Sequence, residues 1–274
     1  VDKVFKEKVA VTDRFLDYAG NMPVAEITPK VVQGFLLSEA SQRSNNAVNK
    51  DRKNLSALFN WGVRVLGLAN NPVARIGKLP HDKAPQYTPS TEEIERILAV
   101  ATQEERVVLA CFLYTAARRG EIFRLTWEDV DFERREIRLG TRKTKDGSMD
   151  YEWLPINQAL YDELLWWRQN HEGTGYIFTS RLGKPFSRNA DFMARLCRRA
   201  NTKKFGFHAL RRYAASVLAD TPGIGIKRIQ RVLRHKSAAT TEHYIYSINR
   251  DLRDTMEVLG EITPPINPTQ NTTS

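Results

Sequence analysis

The sequence predicts a mainly α chain with one small β-hairpin sheet, an α+β architecture in two domains. Three observations carry this expectation. Apolar residues recur at helical spacing behind polar or proline starts through most of the chain. A single pair of neighbouring strand-like runs flanks a tight-turn signal, Asp146-Gly147. A stretch at 79–90, LPHDKAPQYTPS, carries three prolines, lacks apolar periodicity, and separates a helical front from a mixed remainder.

Residues 4–19 read as the first helix. Thr28 and Pro29, an N-cap and first-turn pair, open a second helix through about Ala40. A third runs from near Asn46 to Leu66 and stops at Gly67. Leu55, Leu58, Phe59 and Gly62 share its apolar face, while Lys50, Lys53 and Asn54 lie on another, open to a phosphate backbone. Ser90 and Glu93 form a capping box for a helix through about Ala101. A strongly apolar helix follows at 105–117, and Thr126 to Asp129 form another capping box. Residues 135–142 and 150–156 are the two strands. Asn157 caps a helix through about Asn170, and Tyr176 to Phe178 read as a short strand. Helices are expected near 188–200, 208–219, 225–234 and 238–247. The resulting division is a helical domain at 1–80, a linker at 81–89, a second domain at 90–260, and a disordered tail at 261–274.

Composition excludes several classes. The 274 residues are 41% hydrophobic and 27% charged, which suits a folded soluble chain rather than a disordered one. No apolar run approaches the roughly 18 residues of a membrane span. Cys111 and Cys197 cannot build a disulfide scaffold and lack the paired spacing of a zinc site, so they read as reduced core thiols of a cytoplasmic protein. The chain opens on Val1 without a charged-then-apolar leader, as a fragment or processed chain would. The net charge of +10 is unevenly spread: residues 195–250 hold thirteen Lys and Arg against Asp220 and Glu242. Such a concentration points to a polyanion, and nucleic acid is the natural one.

Three segments carry the chemistry: TAARRGE at 115–121, HALRR at 208–212, and LRHKSAATTEHY at 233–244. Together they resemble the tyrosine recombinase (phage integrase) family. Its pattern is T-G-x-R-x-x-E, then a hairpin lysine, then H-x-L-R, then L-G-H with a tyrosine nine residues after the histidine. Arg118 and Glu121 fill the first motif, His208 and Arg211 the second, and His235 and Tyr244 the third. For the lysine, Lys145 before Asp146-Gly147 is favoured over Lys143; Pro155 lies two residues further on than usual, so the hairpin is longer. Ala116 and Arg234 replace two glycines of the pattern, and Arg212 stands where a second histidine is common. Ala116 is therefore expected not to need a positive φ. Arg234 would add strain if its turn is left-handed, and both Arg212 and Arg234 are candidate DNA contacts beside Lys50, Lys53 and Asn54.

The resemblance implies a SAM-like helical core-binding domain in front of a recombinase catalytic domain, the two closing as a clamp on duplex DNA. It implies site-specific strand breakage and rejoining through a 3′-phosphotyrosine, without metal, ATP or any other cofactor. Arg118 and Arg211 would clamp the phosphate and Tyr244 would attack it. His208 would act as base or hydrogen-bond partner, Lys145 would protonate the leaving 5′-oxygen, and His235 would bind a non-bridging oxygen. Glu121 would orient a basic catalytic side chain. The implied partners are double-stranded DNA at attachment-type sites, further copies making a tetramer on DNA, and accessory DNA-bending or excision factors. The setting would be the bacterial cytoplasm, and the separate arm-binding domain many members carry in front is expected to be absent or removed. The pattern leaves two other functions open: a DNA-binding regulator with a silent site, and a type IB topoisomerase-like enzyme. Tyr246, His243, His81 and His171 are expected to lie outside the chemistry.

Overall fold

A computed structural model describes residues 2–81, 86–142, 148–171, 173, 175–179, 185–186, 191–235 and 237–242. The chain divides into two compact units, Val1–Ala84 and Pro85–Ser274.

The front unit is three helices: α1 (Asp2–Ala19), α2 (Pro29–Ala40) and α3 (Asn45–Leu66). Thr28 caps α2 by accepting from the Val31 N–H, and Pro29 sits in the first turn. Gly67 ends α3 in the left-handed conformation at φ 70°, as the sequence suggests. Val11 and Phe15 of α1, Val32 and Phe35 of α2, and Leu55 and Phe59 of α3 make the core. Phe15 meets Phe35 edge to face, with centroids 5.2 Å apart. Leu58, expected on the same face, is 39% exposed, because it falls just outside the arc that Val48, Leu55, Phe59 and Gly62 share. Asn45 and Asn49 of α3 bond the Pro80 and Leu79 carbonyls, which fixes the unit's last residues.

The larger unit surrounds α5 (Gln103–Thr115), a helix apolar throughout 107–113, capped by Thr102 and preceded by α4 (Thr91–Val100). Ser90 and Glu93 form the expected reciprocal cap of α4. A four-residue helix, α6 (Arg119–Ile122), follows α5, and a short 3₁₀ turn at Trp127–Asp129 leads into the sheet. That sheet is antiparallel in the order β1 (Val130–Asp131), β2 (Glu136–Arg142), β3 (Met149–Pro155). Its register pairs Glu136 with Pro155 and Arg142 with Met149. The turn Asp146-Gly147 and both candidate lysines, Lys143 and Lys145, lie outside the described residues. Tyr176 makes one isolated bridge to Thr126 rather than the expected strand. Helices α7 (Gln158–Asn170), α8 (Phe192–Arg199), α9 (Phe207–Asp220) and α10 (Ile226–Leu233) complete the unit, and residues 238–242 are again helical. Cys111 and Cys197 are buried in this core as free thiols. No helix among the described residues is long and apolar enough to cross a membrane.

The stretch expected as a linker is partly folded. Pro89 is buried, and Tyr87 packs on Phe205 with centroids 6.0 Å apart. The Tyr87 carbonyl accepts from Arg212 Nη2 at 2.7 Å and Nε at 3.0 Å. Residues 86–89 thus belong to the larger unit.

Candidate active site

Two helix ends and one buried arginine build the site. Helix α5 stops because Ala116 turns left-handed, at φ 49° and ψ 30°. This corrects the expectation that alanine here avoids positive φ. An L-residue with a Cβ loses about 1–2 kcal/mol in that conformation, and local bonds hold it: Thr115 Oγ1 accepts from the Ala117 N–H at 3.2 Å. The turn after α10 does the same at Arg234, φ 51°, closed by the His235 N–H on the Gln230 carbonyl at 3.1 Å.

Arg211, on α9, joins these two turns. It is only 1% exposed, so its charged fork must find partners inside the protein. Nη1 donates to the Ala116 carbonyl and Nη2 to the Leu233 carbonyl, each at 2.5 Å. Nη2 also lies 3.1 Å from His235 Nε2. A guanidinium only donates, so Nε2 accepts there. The ring proton then sits on Nδ1, 3.0 Å from Thr241 Oγ1. Arg211 thereby brings the ends of α5 and α10 and the ring of His235 to one place.

Arg118 is the N-cap of α6, two residues past the α5 turn, with its side chain 33% exposed. Glu121 of α6 holds it twice: Oε2 accepts from the Arg118 backbone N–H and Oε1 from its Nη1, both at 2.8 Å. Thr141 of β2 adds a hydroxyl at 2.5 Å, and Arg234 Nη2 adds a guanidinium at 2.8 Å. Burial opposes the charge of Glu121, but Arg234, Thr141 and Arg118 outweigh it and hold the carboxyl at about 2. It is a fixed anion at neutral pH.

His208 stands exposed on the first turn of α9. Loss of water from the ring's inner face, then the cations of Arg212, Arg211 and Arg118, push its pKa down to about 4. It is therefore neutral at pH 7. It lines a hollow of about 500 Å³ with the cationic Arg119 and Lys204. His235 lines another of about 320 Å³ with Lys227 and Arg231.

Four of the six expected catalytic residues, Arg118, His208, Arg211 and His235, are thus gathered, with Glu121 beneath them. Tyr244 and the lysine lie outside the described residues, as do His243, Tyr246 and everything after. Two candidate DNA contacts are corrected. Arg212 is buried, with its guanidinium spent on the Tyr87 carbonyl and on Gln86 Oε1 at 2.9 Å. Arg234 is buried on Glu121. Both face inward because α9 and the turn after α10 are packed on more than one side. Lys50, Lys53 and Asn54 keep their place on α3; Lys50 and Lys53 are exposed, and Lys50 Nζ meets Glu7 at 2.8 Å. Thr141 and Thr241 went unnoticed in the sequence: Thr141 lies outside the three segments, Thr241 lies within 233–244 but at none of the pattern's named positions, and only the folded geometry puts their hydroxyls here. Among the described residues no three His, Cys, Asp or Glu gather as a metal cluster.

Residues 90–250 match the phage integrase family. A tyrosine recombinase XerC-like protein of Caldanaerobacter subterraneus subsp. tengcongensis is 25% identical over 263 residues, covering 80% of this chain and 67% of the relative. Tyrosine recombinase XerA of Pyrococcus horikoshii is 25% identical over 190 residues, covering 66% of this chain and 65% of the relative. The chain thus spans about two thirds of the length of these relatives. Among solved structures, a lambda integrase(75-356) dimer bound to a COC′ core site aligns with TM-score 0.73 and 18% identity, over 92% of this chain and 91% of that one. The Tn1549 transposon integrase in complex with a circular intermediate DNA aligns with TM-score 0.68 and 21% identity, over 87% and 86%. At these identities the likeness is one of fold.

Proposed function

The chain belongs to the phage integrase family, and from that premise we propose that it is a site-specific DNA recombinase that breaks and rejoins strands through a 3′-phosphotyrosine. The observation that carries this reading is the buried fork of Arg211, which ties the α5 turn, the α10 turn and His235 into one cationic floor.

A phosphodiester is anionic, and attack on it builds further negative charge on its non-bridging oxygens. Arg118 would meet that charge with a planar, permanently ionised fork, and the buried Arg211 would add its positive charge from beneath. Glu121 leaves Arg118 a fixed aim. The Tyr244 phenol oxygen would attack phosphorus, and the bond to the 5′-oxygen would break. Its proton would pass toward His208, whose neutral ring can accept it. Lys145, with Lys143 the other choice, would protonate the departing 5′-oxygen. His235, held between Arg211 and Thr241, would hydrogen-bond a non-bridging oxygen. The bond energy stays in the phosphotyrosine, so a 5′-hydroxyl of a second strand can reverse the step without ATP or metal.

The substrate in this reading is duplex DNA, with α3 offering Lys50, Lys53 and Asn54 to its backbone. Assembly is as a tetramer on two sites in the cytoplasm, in line with the lambda integrase tetramer seen on a Holliday junction.

The test is covalent trapping. The protein is mixed with genomic DNA in EDTA, quenched in detergent, digested with nuclease and read by mass spectrometry. A nucleotide on Tyr244 that disappears in Tyr244→Phe is the expected result. Tight DNA binding with no adduct would make the chain a silent DNA-binding protein instead. An adduct with plasmid relaxation but no strand exchange would make it topoisomerase-like.

A further inference from the structure

We propose that Arg234 is a positioning residue for this reaction: its buried guanidinium anchors Glu121, so that Glu121 can aim Arg118 without cancelling the charge that the phosphate needs. The inference rests on the recombinase reading above.

The carboxylate of Glu121 is shared. Oε1 faces Arg118 Nη1 and Oε2 faces Arg234 Nη2, both at 2.8 Å. The exposures separate their roles. The Arg118 side chain is 33% exposed, while those of Arg234 and Glu121 are 4% and 2% exposed. Arg118 can therefore reach a substrate, whereas Arg234 reaches one only through Glu121. Paired with Arg118 alone, Glu121 would neutralise a clamp residue. The second guanidinium leaves the trio with one net positive charge, held where negative charge grows in the transition state.

The backbone strengthens the inference. Arg234 sits at φ 51°, a conformation that glycine adopts without steric cost. The turn itself is closed by main-chain bonds, His235 N–H to Gln230 carbonyl and Arg234 N–H to Arg231 carbonyl, which any residue could make. Closing the turn therefore does not call for arginine. The side chain is instead occupied with the site: Nη1 donates to the Val232 carbonyl at 2.9 Å and lies 3.4 Å from the Thr115 carbonyl, and Nη2 holds Glu121. It thus spans from the end of α5 to α6 across the floor beneath Arg118.

The experiment compares the full chain with Arg234→Met, Arg234→Gly and Arg234→Lys, each also combined with Glu121→Gln. Two readouts are taken. One is the single-turnover rate of Tyr244 adduct formation on saturating genomic DNA, with DNA affinity measured alongside. The other is the pH titration of the Glu121 carboxyl by ¹³C NMR, assigned through Glu121→Gln. With methionine, adduct formation should slow by about 30-fold or more while affinity stays within about threefold. Lysine should recover a large part of the rate. In the Glu121→Gln background, losing Arg234 should cost no more than about threefold further, because the two act as one unit. The Glu121 midpoint should move up in the methionine variant, since burial then acts against fewer cations. A rate within about threefold of the parent, losses that multiply with Glu121→Gln, or an unmoved midpoint would each overturn the proposal. If methionine prevents folding, the glycine variant, whose backbone suits the turn, carries the same test. No adduct from the parent itself would instead count against the recombinase reading, and the titration alone would then decide whether Arg234 holds Glu121.

Discussion

Each unit of the protein contains a cluster of arginines and carboxylates, and the two clusters differ in their charge balance. In the front unit Arg14 and Arg43 meet Glu39 and Asp51 at 2.5–2.8 Å, two cations against two anions. All four links close inside the cluster, which pins α1, α2 and α3 together. In the larger unit Arg118 and Arg234 share Glu121, with Arg211 close by on backbone carbonyls. There the cations are in excess and one of them reaches the surface. A balanced cluster has nothing left to offer a ligand and serves packing. An unbalanced one, stabilised by helix-end carbonyls, stores positive charge for something that arrives later.

The sharpest way to break this contrast is to remove the outward cation. Arg118→Ala should lower the rate of adduct formation by about 10²- to 10³-fold, the usual loss for one donor to a developing oxyanion. Its unfolding midpoint should fall only modestly, because Glu121 keeps Arg234, Thr141 and the residue-118 backbone N–H. A large loss of stability with an unchanged rate would put the larger cluster in the same class as the front one.

Acid provides a second contrast. Glu121 has a folded value of about 2 against an ordinary 4.5. Its contribution is therefore complete above the unfolded value and is lost as pH falls from about 4.5 toward 2, an amount of about 3 kcal/mol. His208, lowered to about 4, adds a step in the same direction, because the unfolded ring takes a proton first as pH falls from 6.5. Urea unfolding followed by tryptophan fluorescence from pH 7 to 2.5 should show stability falling in two stages. His208→Gln should erase only the upper one; a flat profile would mean that Glu121 is not a buried, paired anion.

The smallest effect is expected in the balanced cluster. Asp51→Ala leaves Arg14 and Arg43 with Glu39 alone. Because both arginines are about one-third exposed and can turn to water, the cost should be about 1–2 kcal/mol. The rate on saturating DNA should not change. Burial opposes the charge of Glu39, yet Arg43 and Arg14 hold its pKa below the usual carboxylate range, so it remains available to balance them.

Most helices were legible in the sequence because their ends are written locally. Thr28-Pro29, Ser90 with Glu93, Asn157 and Gly67 each act within one turn, and each sits where expected. The four-residue α6 and two-residue β1 were not legible, since elements that short have no periodicity to read. In the site, motif spacing pointed to Arg118, His208, Arg211 and His235, but not to the direction each faces. Arg212 and Arg234 looked like surface cations and are buried, because their partners, Tyr87 and Glu121, lie more than a hundred positions away. Ala116 hid its left-handed turn because alanine carries no glycine signal.

The burial of Cys111 and Cys197 has a practical consequence. Both thiols belong to the larger unit, and burial pushes the Cys111 pKa up, away from the reactive thiolate. A thiol reagent reaches them only in molecules whose core has opened. Their labelling rate is thus a built-in clock for opening of the larger unit alone, and a single cysteine placed at the buried Val32 would give the front unit a reporter of its own.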